Sequence, residues 1–202
     1  MSTSHWDAVW NDRHPDKVTW FQAESTTSLQ LIQAAAGPGA GVIDVGGGAS
    51  RLIDQLLAAG YCDVTVLDIA AASIASAQQR LGSDSDRVKW IVADATAALF
   101  GRTFDIWHDR AAFHFLIDAD DRARYLVTMK SALAIGGHVV MSTFGPDGPE
   151  MCSGLPVRRY GIELMSETLG DTFEPIGSKV EQHITPSGAM QQFVYGVFRR
   201  LS

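Results

Sequence analysis

The sequence predicts an α/β fold: a mostly parallel, seven-stranded sheet with helices on both faces and an antiparallel hairpin at its C-terminal end. Three observations carry this expectation. From Val42 to Thr143 short apolar runs alternate with segments of helical periodicity, the pattern of βαβ units that lay parallel strands in one sheet. The first apolar run, Gly41-Val42-Ile43-Asp44-Val45, passes directly into Gly46-Gly47-Gly48 and then an apolar helix. The last two apolar stretches, 173–184 and 191–200, are joined only by a turn containing Thr185-Pro186-Ser187-Gly188, too short for a parallel crossover.

The elements follow in order. Ser4, with Asp7 three residues on, reads as a capping box, and Trp6, Val9 and Trp10 recur at helical spacing before Pro15 interrupts. A second helix is expected over about 25–36, with Leu29 and Ile32 on one face and a stop at Gly37-Pro38-Gly39. Strands are expected at 42–45, 64–68, 88–93, 103–108 and 138–143. Helices should follow the glycine loop as far as Ala59, then span 70–81, a short segment at 95–99, and 118–134 with Tyr125, Leu126, Met129 and Leu133 inward. Gly136-Gly137 reads as a turn into the fifth strand. The Gly/Pro-rich stretch 144–160, with Arg158 and Arg159, is long for a connection; a substrate lid and a solvated surface loop are both open. Residues 1–202 then form one domain: an N-terminal helical segment over 1–36, a binding core over 41–143, and a loop, helix and hairpin over 144–202.

At 202 residues and 46% hydrophobic, the chain can bury a full core. Its formal charge is −7, from 16 basic and 23 acidic residues, and no run of Lys or Arg is present to track a phosphate backbone, so nucleic acid is not expected as a partner. The opening Met1-Ser2-Thr3-Ser4-His5-Trp6 lacks the cationic start and apolar stretch of a signal peptide. No segment approaches the ~20 apolar residues of a membrane span. Cys62 and Cys152 are too few for a disulfide framework or a Cys-based zinc site. These features lead us to expect a cytoplasmic monomer or small homo-oligomer, without a bound metal or a membrane contact.

The glycine loop is the chemical centre of the sequence. Three glycines remove the side chains that would otherwise keep a ligand off the backbone. The next strand ends on a second carboxylate, Asp68, and together they mark a nucleotide-type ligand at the carboxyl ends of parallel strands. A nicotinamide dinucleotide fits poorly, because its G-x-G-x-x-G pattern would need a third glycine where this chain has Arg51. Asp44, two residues before the first glycine, has no use for a diphosphate but suits a cationic ligand. S-adenosylmethionine carries an ammonium and a sulfonium beside its carboxylate.

Asp44, Gly46 and Gly48 therefore resemble the first motif of the class I S-adenosylmethionine-dependent methyltransferases, an acidic strand residue followed by G-x-G-x-G, with Ser50 in place of the third glycine. The resemblance implies a Rossmann-like methyltransferase fold and S-adenosyl-L-methionine as cofactor. It implies that Asp68 binds both ribose hydroxyls with Ile69 beside it, that Asp94 holds the adenine amino group, and that Ala95 supplies a neighbouring amide. Within the class, Trp107-His108-Asp109-Arg110-Ala111-Ala112, the later Asp121-Arg122 and Tyr125, and the opening Trp6, Trp10 and Trp20-Phe21-Gln22 are similar to the thiopurine methyltransferase group and related protein-lysine methyltransferases. Position 111 is Ala where the thiopurine group usually has Gly, and His108 and His114 lie outside its pattern. The likeness spans about residues 5–143 and places Trp20, Gln22 and Asp109 at the cofactor and Asp109 and Arg110 at the chemistry, where His114, from its own place in the substrate-facing turn, is a further candidate.

Alternatives stay open for several side chains. Each Asp that ends a strand can be an ordinary strand terminator; four in succession, the first followed by the glycine loop, favour the ligand reading. His108, inside an apolar strand, reads as a buried residue with one hydrogen bond. His114 reads equally as a general base near neutral pH or as packing between Phe113 and Phe115. His183 reads as solvent-facing, Trp6 and Trp10 as a packed helix face or a cover for the cofactor, and Cys152 as a bystander. The expected reaction is in-line transfer of a methyl group to a small-molecule sulfur, nitrogen or oxygen, without a metal. A protein lysine is the alternative acceptor, an inactive cofactor-binding module the second alternative, and a nicotinamide oxidoreductase the third.

Overall fold

A computed structural model describes residues 3–12 and 15–202; residues 1, 2, 13 and 14, which belong to the expected N-terminal segment, lie outside the described residues. The strands are β1 (Gly41–Val45), β2 (Asp63–Asp68), β3 (Val88–Val92), β4 (Phe104–Arg110), β5 (Leu133–Phe144), β6 (Met151–Cys152), β7 (Leu155–Pro156), β8 (Phe173–Ile184) and β9 (Met190–Arg200). The helices are α1 (Thr3–Asp12), α2 (Thr26–Ala35), α3 (Leu52–Ala58), α4 (Ala71–Leu81), α5 (Ala119–Ala132) and α6 (Ile162–Leu169). Seven strands form one mixed sheet in the order β3-β2-β1-β4-β5-β9-β8. The first five run parallel, and β9 joins antiparallel to both β5 and β8. This is the Rossmann-like fold with a C-terminal hairpin that the sequence predicts.

Burial follows from topology. All five residues of β1 are buried, because a central parallel strand is covered on both faces. Ile43, Val45, Trp107 and Val139 pack with Tyr125 and Met129 of α5 and Met165 of α6 on one face. Val42, Val64, Ile106 and Val140 pack with Ile32 of α2 and Leu52 and Leu56 of α3 on the other. The strand period of two sorts adjacent residues such as Val42 and Ile43 into these opposite layers. A third cluster joins Trp6 and Val9 of α1 to Phe115, Phe144, Phe193 and Tyr195. Strand order reverses between β1 and β4, so a crevice opens beyond their carboxyl ends.

Several local expectations are corrected. Helix α1 begins at Thr3, so Ser4 lies within its first turn and is not the cap. Residues 95–97 form a turn and no helix: Asp94 Oδ1 accepts from the Thr96 amide and hydroxyl, both at 2.8 Å, offering that backbone an alternative to helical bonding. Strand β5 begins at Leu133, before the two glycines. Gly136 takes φ +81° and a register shift against β4 absorbs the pair as a bulge, not a turn. The 144–160 stretch is partly ordered by the hairpin β6/β7. Among the described residues, no helix is long and apolar enough to cross a membrane, and no group of three His, Cys, Asp or Glu residues could hold a metal.

Candidate active site

The crevice holds a cavity of about 1130 Å³, its open mouth included. Its floor is the glycine loop and the ends of β1, β2 and β4; α1 and residues 18–22 roof it. Each loop glycine has a definite neighbour. Gly46 takes a left-handed φ of +68°, and a Cβ there would stand 2.7 Å from Ala112 Cβ. A Cβ on Gly47 would overlap the Asp44 carboxylate, and one on Gly48 would overlap Asp68 and stand 2.7 Å from Ser73 Cβ. The far side of the loop is tied to α4. Arg80 donates to the Ala49 and Ser50 carbonyls at 3.0 and 2.7 Å while paired with Asp54.

Two carboxylates at neighbouring strand ends are buried beside the cavity. Asp68 Oδ1 accepts from the Ala70 amide at 2.8 Å. Burial, with the charge of Asp44 adding to it, pushes the Asp68 carboxyl up to about 6. Asp44 Oδ1 accepts from His108 Nδ1 at 2.7 Å, and its Oδ2 is buried without a hydrogen-bond partner. His108 has a second bond, Nε2 to Ser28 Oγ at 2.9 Å.

Arg110, the last residue of β4, lies on the opposite wall. Its guanidinium stacks 4.2 Å over the Phe193 ring and donates to Tyr195 Oη at 3.1 Å and to the Trp20 carbonyl at 3.0 Å. Its Nη2 is buried with no hydrogen bond, 3.9 Å from Glu181 Oε1. Glu181 also accepts from Gln22 Nε2 at 2.9 Å, and His183 Nε2 donates to the Thr19 carbonyl at 2.8 Å. These bonds fasten residues 19–22 to β4 and β8. Above them Trp6 meets Phe115 edge-to-face at 4.9 Å, and Trp6 and Trp10 each meet Trp20 at about 6 Å.

The structure brings Trp20, Gln22, Asp44, Gly46, Asp68, Ile69, Asp94, Ala95 and Arg110 to this one cavity. Gly48 does not line it; its role is to let Asp68 and Ser73 close up behind the loop. Asp109 is not on the cavity either. It is fully buried and accepts from the Ala112 and Phe113 amides at 3.0 and 3.1 Å and from the Tyr125 hydroxyl at 2.6 Å. Burial holds its carboxyl at about 6. Asp109 shapes the turn after β4, and the adjoining Ala111 adopts φ +67°, a conformation that explains why glycine suits this position in the resembled group.

His114 is corrected as a base. It is fully buried between Phe115 and Phe144, away from the cavity, and receives the Phe144 amide at Nδ1. Desolvation lowers it to about 3, with the Arg110 charge contributing. An imidazole with so low a value holds a proton too weakly to serve near neutral pH. His183 is likewise buried and bonded, not solvent-facing. Sequence reasoning missed Ser28 and Arg51 as lining residues and gave His108 and Cys152 only bystander roles, although both line the cavity. Burial pushes the Cys152 thiol up to about 12, which keeps it protonated and unreactive. Nothing local in the sequence marks Ser28, a serine inside a helix. Trp6 and Trp10, both on α1, pack in the third cluster and also line the cavity.

Residues 42–137 match a family described as a methyltransferase domain. No curated protein matches the sequence. Among solved structures, one concerned with the conversion of a disulfide bond into a thioacetal group during echinomycin biosynthesis is 21% identical, with a TM-score of 0.78 over 99% of this chain and 93% of that one. A S-adenosylmethionine-dependent methyltransferase from Anabaena variabilis is 15% identical, with a TM-score of 0.77 over 98% and 94%. The 1,6-didemethyltoxoflavin-N1-methyltransferase of Burkholderia thailandensis, bound to 1,6-didemethyltoxoflavin and S-adenosylhomocysteine, is 23% identical, with a TM-score of 0.73 over 99% and 85%. At these identities the likeness is one of fold. Residues 42–137 thus match a methyltransferase domain, and the chain as a whole takes the fold of the S-adenosylmethionine-dependent methyltransferases it resembles.

Proposed function

We propose that the protein methylates a small-molecule nitrogen or sulfur nucleophile with S-adenosylmethionine as donor. The observation that carries this reading is a roofed, aromatic cavity in which two lining residues of opposite charge, Asp44 and Arg110, each keep one buried polar atom without a hydrogen bond, the Arg110 atom having only the distant ion pair with Glu181. Such atoms are costly unless a ligand satisfies them. When bound, the cofactor supplies an electrophilic methyl group on a sulfonium centre. Asp44 Oδ2 would accept from its ammonium, Asp68 from its ribose hydroxyls, and Asp94 and Ala95 would flank its adenine. Arg110 would donate to an electronegative atom of the acceptor, and Trp6, Trp10, Trp20 and Phe115 would stack around it and exclude water.

With His114 shut away behind the aromatic layer, no imidazole among the described lining residues is left without a hydrogen-bond partner to serve as base for a hydroxyl acceptor. A neutral amine or a thiolate needs none, and orientation in a dry site then does most of the work. The roofed cavity and the acidic chain, at −7, favour a small molecule over a protein lysine or nucleic acid. We read residues 1–202 as a single domain, monomeric or in a small homo-oligomer, and place it in the cytoplasm, in keeping with the unpaired Cys62 and Cys152. The test is purified protein with methyl-labelled donor and a cell lysate divided into small-molecule and protein fractions. Label should enter the small-molecule fraction alone; one strongly labelled protein band would transfer the assignment to lysine.

A pH dependence follows from Asp68. Its carboxyl near 6 must lose its proton before it can accept from two hydroxyls, so binding releases a proton below that value. Affinity for S-adenosylhomocysteine should hold steady above pH 7 and fall by up to about tenfold per unit below pH 6. Titration calorimetry from pH 5 to 8 in buffers of different ionisation enthalpy measures both the affinity and the proton released.

A further inference from the structure

Asp44 and Arg110 stand at the two ends of one buried hydrogen-bond chain. His108 joins Asp44 Oδ1 through Nδ1 at 2.7 Å and Ser28 Oγ through Nε2 at 2.9 Å. Ser28 Oγ lies 3.5 Å from the Tyr195 hydroxyl, which accepts from Arg110 Nε at 3.1 Å. The members come from β1, β4, α2 and β9, and both Ser28 and Tyr195 are fully buried. Tyr195 does not line the cavity.

The ends dictate the direction of every bond. A carboxylate can only accept and a guanidinium can only donate. Arg110 Nε–H donates to Tyr195, Tyr195 O–H to Ser28, Ser28 O–H to His108 Nε2, and His108 Nδ1–H to Asp44. In this arrangement each interior member gives one bond and receives one, with the His108 proton on Nδ1 facing Asp44. Bonds aligned in series polarise one another, so a charge placed at one end is felt at the other. The chain also engages only one atom at each end, leaving Asp44 Oδ2 and Arg110 Nη2 buried without a hydrogen bond, Nη2 facing Glu181 at 3.9 Å.

We propose that Tyr195, acting through Ser28 and His108, is a positioning residue. It holds the carboxylate that takes the cofactor's ammonium and the guanidinium that takes the acceptor in one fixed register. Because Arg110 also donates to the Trp20 carbonyl, the same chain links the glycine-loop end of the site to the N-terminal cover. The assignment of the two ligands rests on the function proposed above; the chain itself does not.

The test uses full-length Tyr195→Phe, Ser28→Ala and the double variant, with two readouts. Nitrogen NMR of the unliganded protein should show His108 as the Nδ1–H tautomer in the parent, with the Nε2 resonance shifting in either variant as the bond from Ser28 is weakened or lost. Calorimetry should show Tyr195→Phe weakening S-adenosylhomocysteine about three- to tenfold although it touches no ligand, with the double variant falling well short of the product of the singles. A parent His108 in the Nε2–H form would overturn the proposal. So would a Tyr195→Phe variant that melts lower yet keeps its Nε2 resonance and its affinity, the outcome of a merely structural tyrosine. Failure of the parent to bind S-adenosylhomocysteine would instead sink the cofactor reading, while the tautomer measurement still decides the chain.

Discussion

Asp68→Ala is expected to weaken S-adenosylhomocysteine binding by at least tenfold while the protein stays folded. A buried carboxylate that accepts from two hydroxyls makes charge-assisted bonds of about 1.5–3 kcal/mol each, and losing one of them already corresponds to roughly tenfold or more. The expected stability change is small for a reason specific to this site. The folded carboxyl titrates near 6, above the ordinary 3.8, so the folded protein holds a proton that the unfolded chain releases between those values. Stability therefore falls as pH rises through that window, and at neutral pH the ionised, buried Asp68 is a burden on the unliganded fold. Removing it relieves that burden, offsetting the lost bond from the Ala70 amide. Calorimetry and thermal melts at pH 7.5 decide the matter. Normal binding with a much lower melting temperature would make Asp68 a strand terminator and nothing more.

Deleting residues 1–22 should abolish turnover and weaken cofactor binding, leaving residues 41–143 folded. The segment is apolar where it faces the cavity, with Trp6 only 8% exposed against Phe115. It is held by the bonds of Thr19, Trp20 and Gln22 to His183, Arg110 and Glu181. Without it the cavity loses its roof, water reaches the reacting atoms, and Arg110 loses the carbonyl that orients it. The point variant Trp20→Ala removes one wall without exposing the whole aromatic layer and should lower turnover about tenfold or more, the usual cost of a large aromatic truncation in a packed site. Hydrogen exchange gives an independent readout: S-adenosylhomocysteine should raise protection over residues 5–22. Unchanged protection there, or turnover by the truncated protein, would remove the cover from the mechanism.

His114 and Asp109 illustrate how a local pattern misleads. Both lie at or just after the end of β4, in a stretch that resembles a catalytic segment, yet neither reaches the cavity. The left-handed Ala111 turns the chain so that the amides of Ala112 and Phe113 point back at Asp109, and Tyr125, from α5, closes on its other oxygen. The same turn carries His114 behind Phe115, where the Phe144 amide meets it. Burial there makes His114 an acid-sensitive element. Its folded value near 3 lies below the ordinary 6.5, so the unfolded chain takes up a proton that the folded one refuses, and its contribution to stability is lost as pH falls below about 6.5.

The sequence by itself determined the parallel direction of the first five strands, the C-terminal hairpin, and a glycine loop followed by carboxylates at the strand ends, because those features depend on residues within one strand–turn–helix unit. Periodicity and the glycine–carboxylate pattern are local signals, and local chemistry fixes them. Which of four strand-ending carboxylates face the cavity, and which buried histidine joins its wall, only the tertiary structure decided. Asp44 meets His108 across 64 residues, His108 meets Ser28 across 80, and Arg110 meets Tyr195 across 85. A hydrogen bond between residues so far apart exists only after β1, β4, α2 and β9 have packed, and no pattern within any one of them announces its partner.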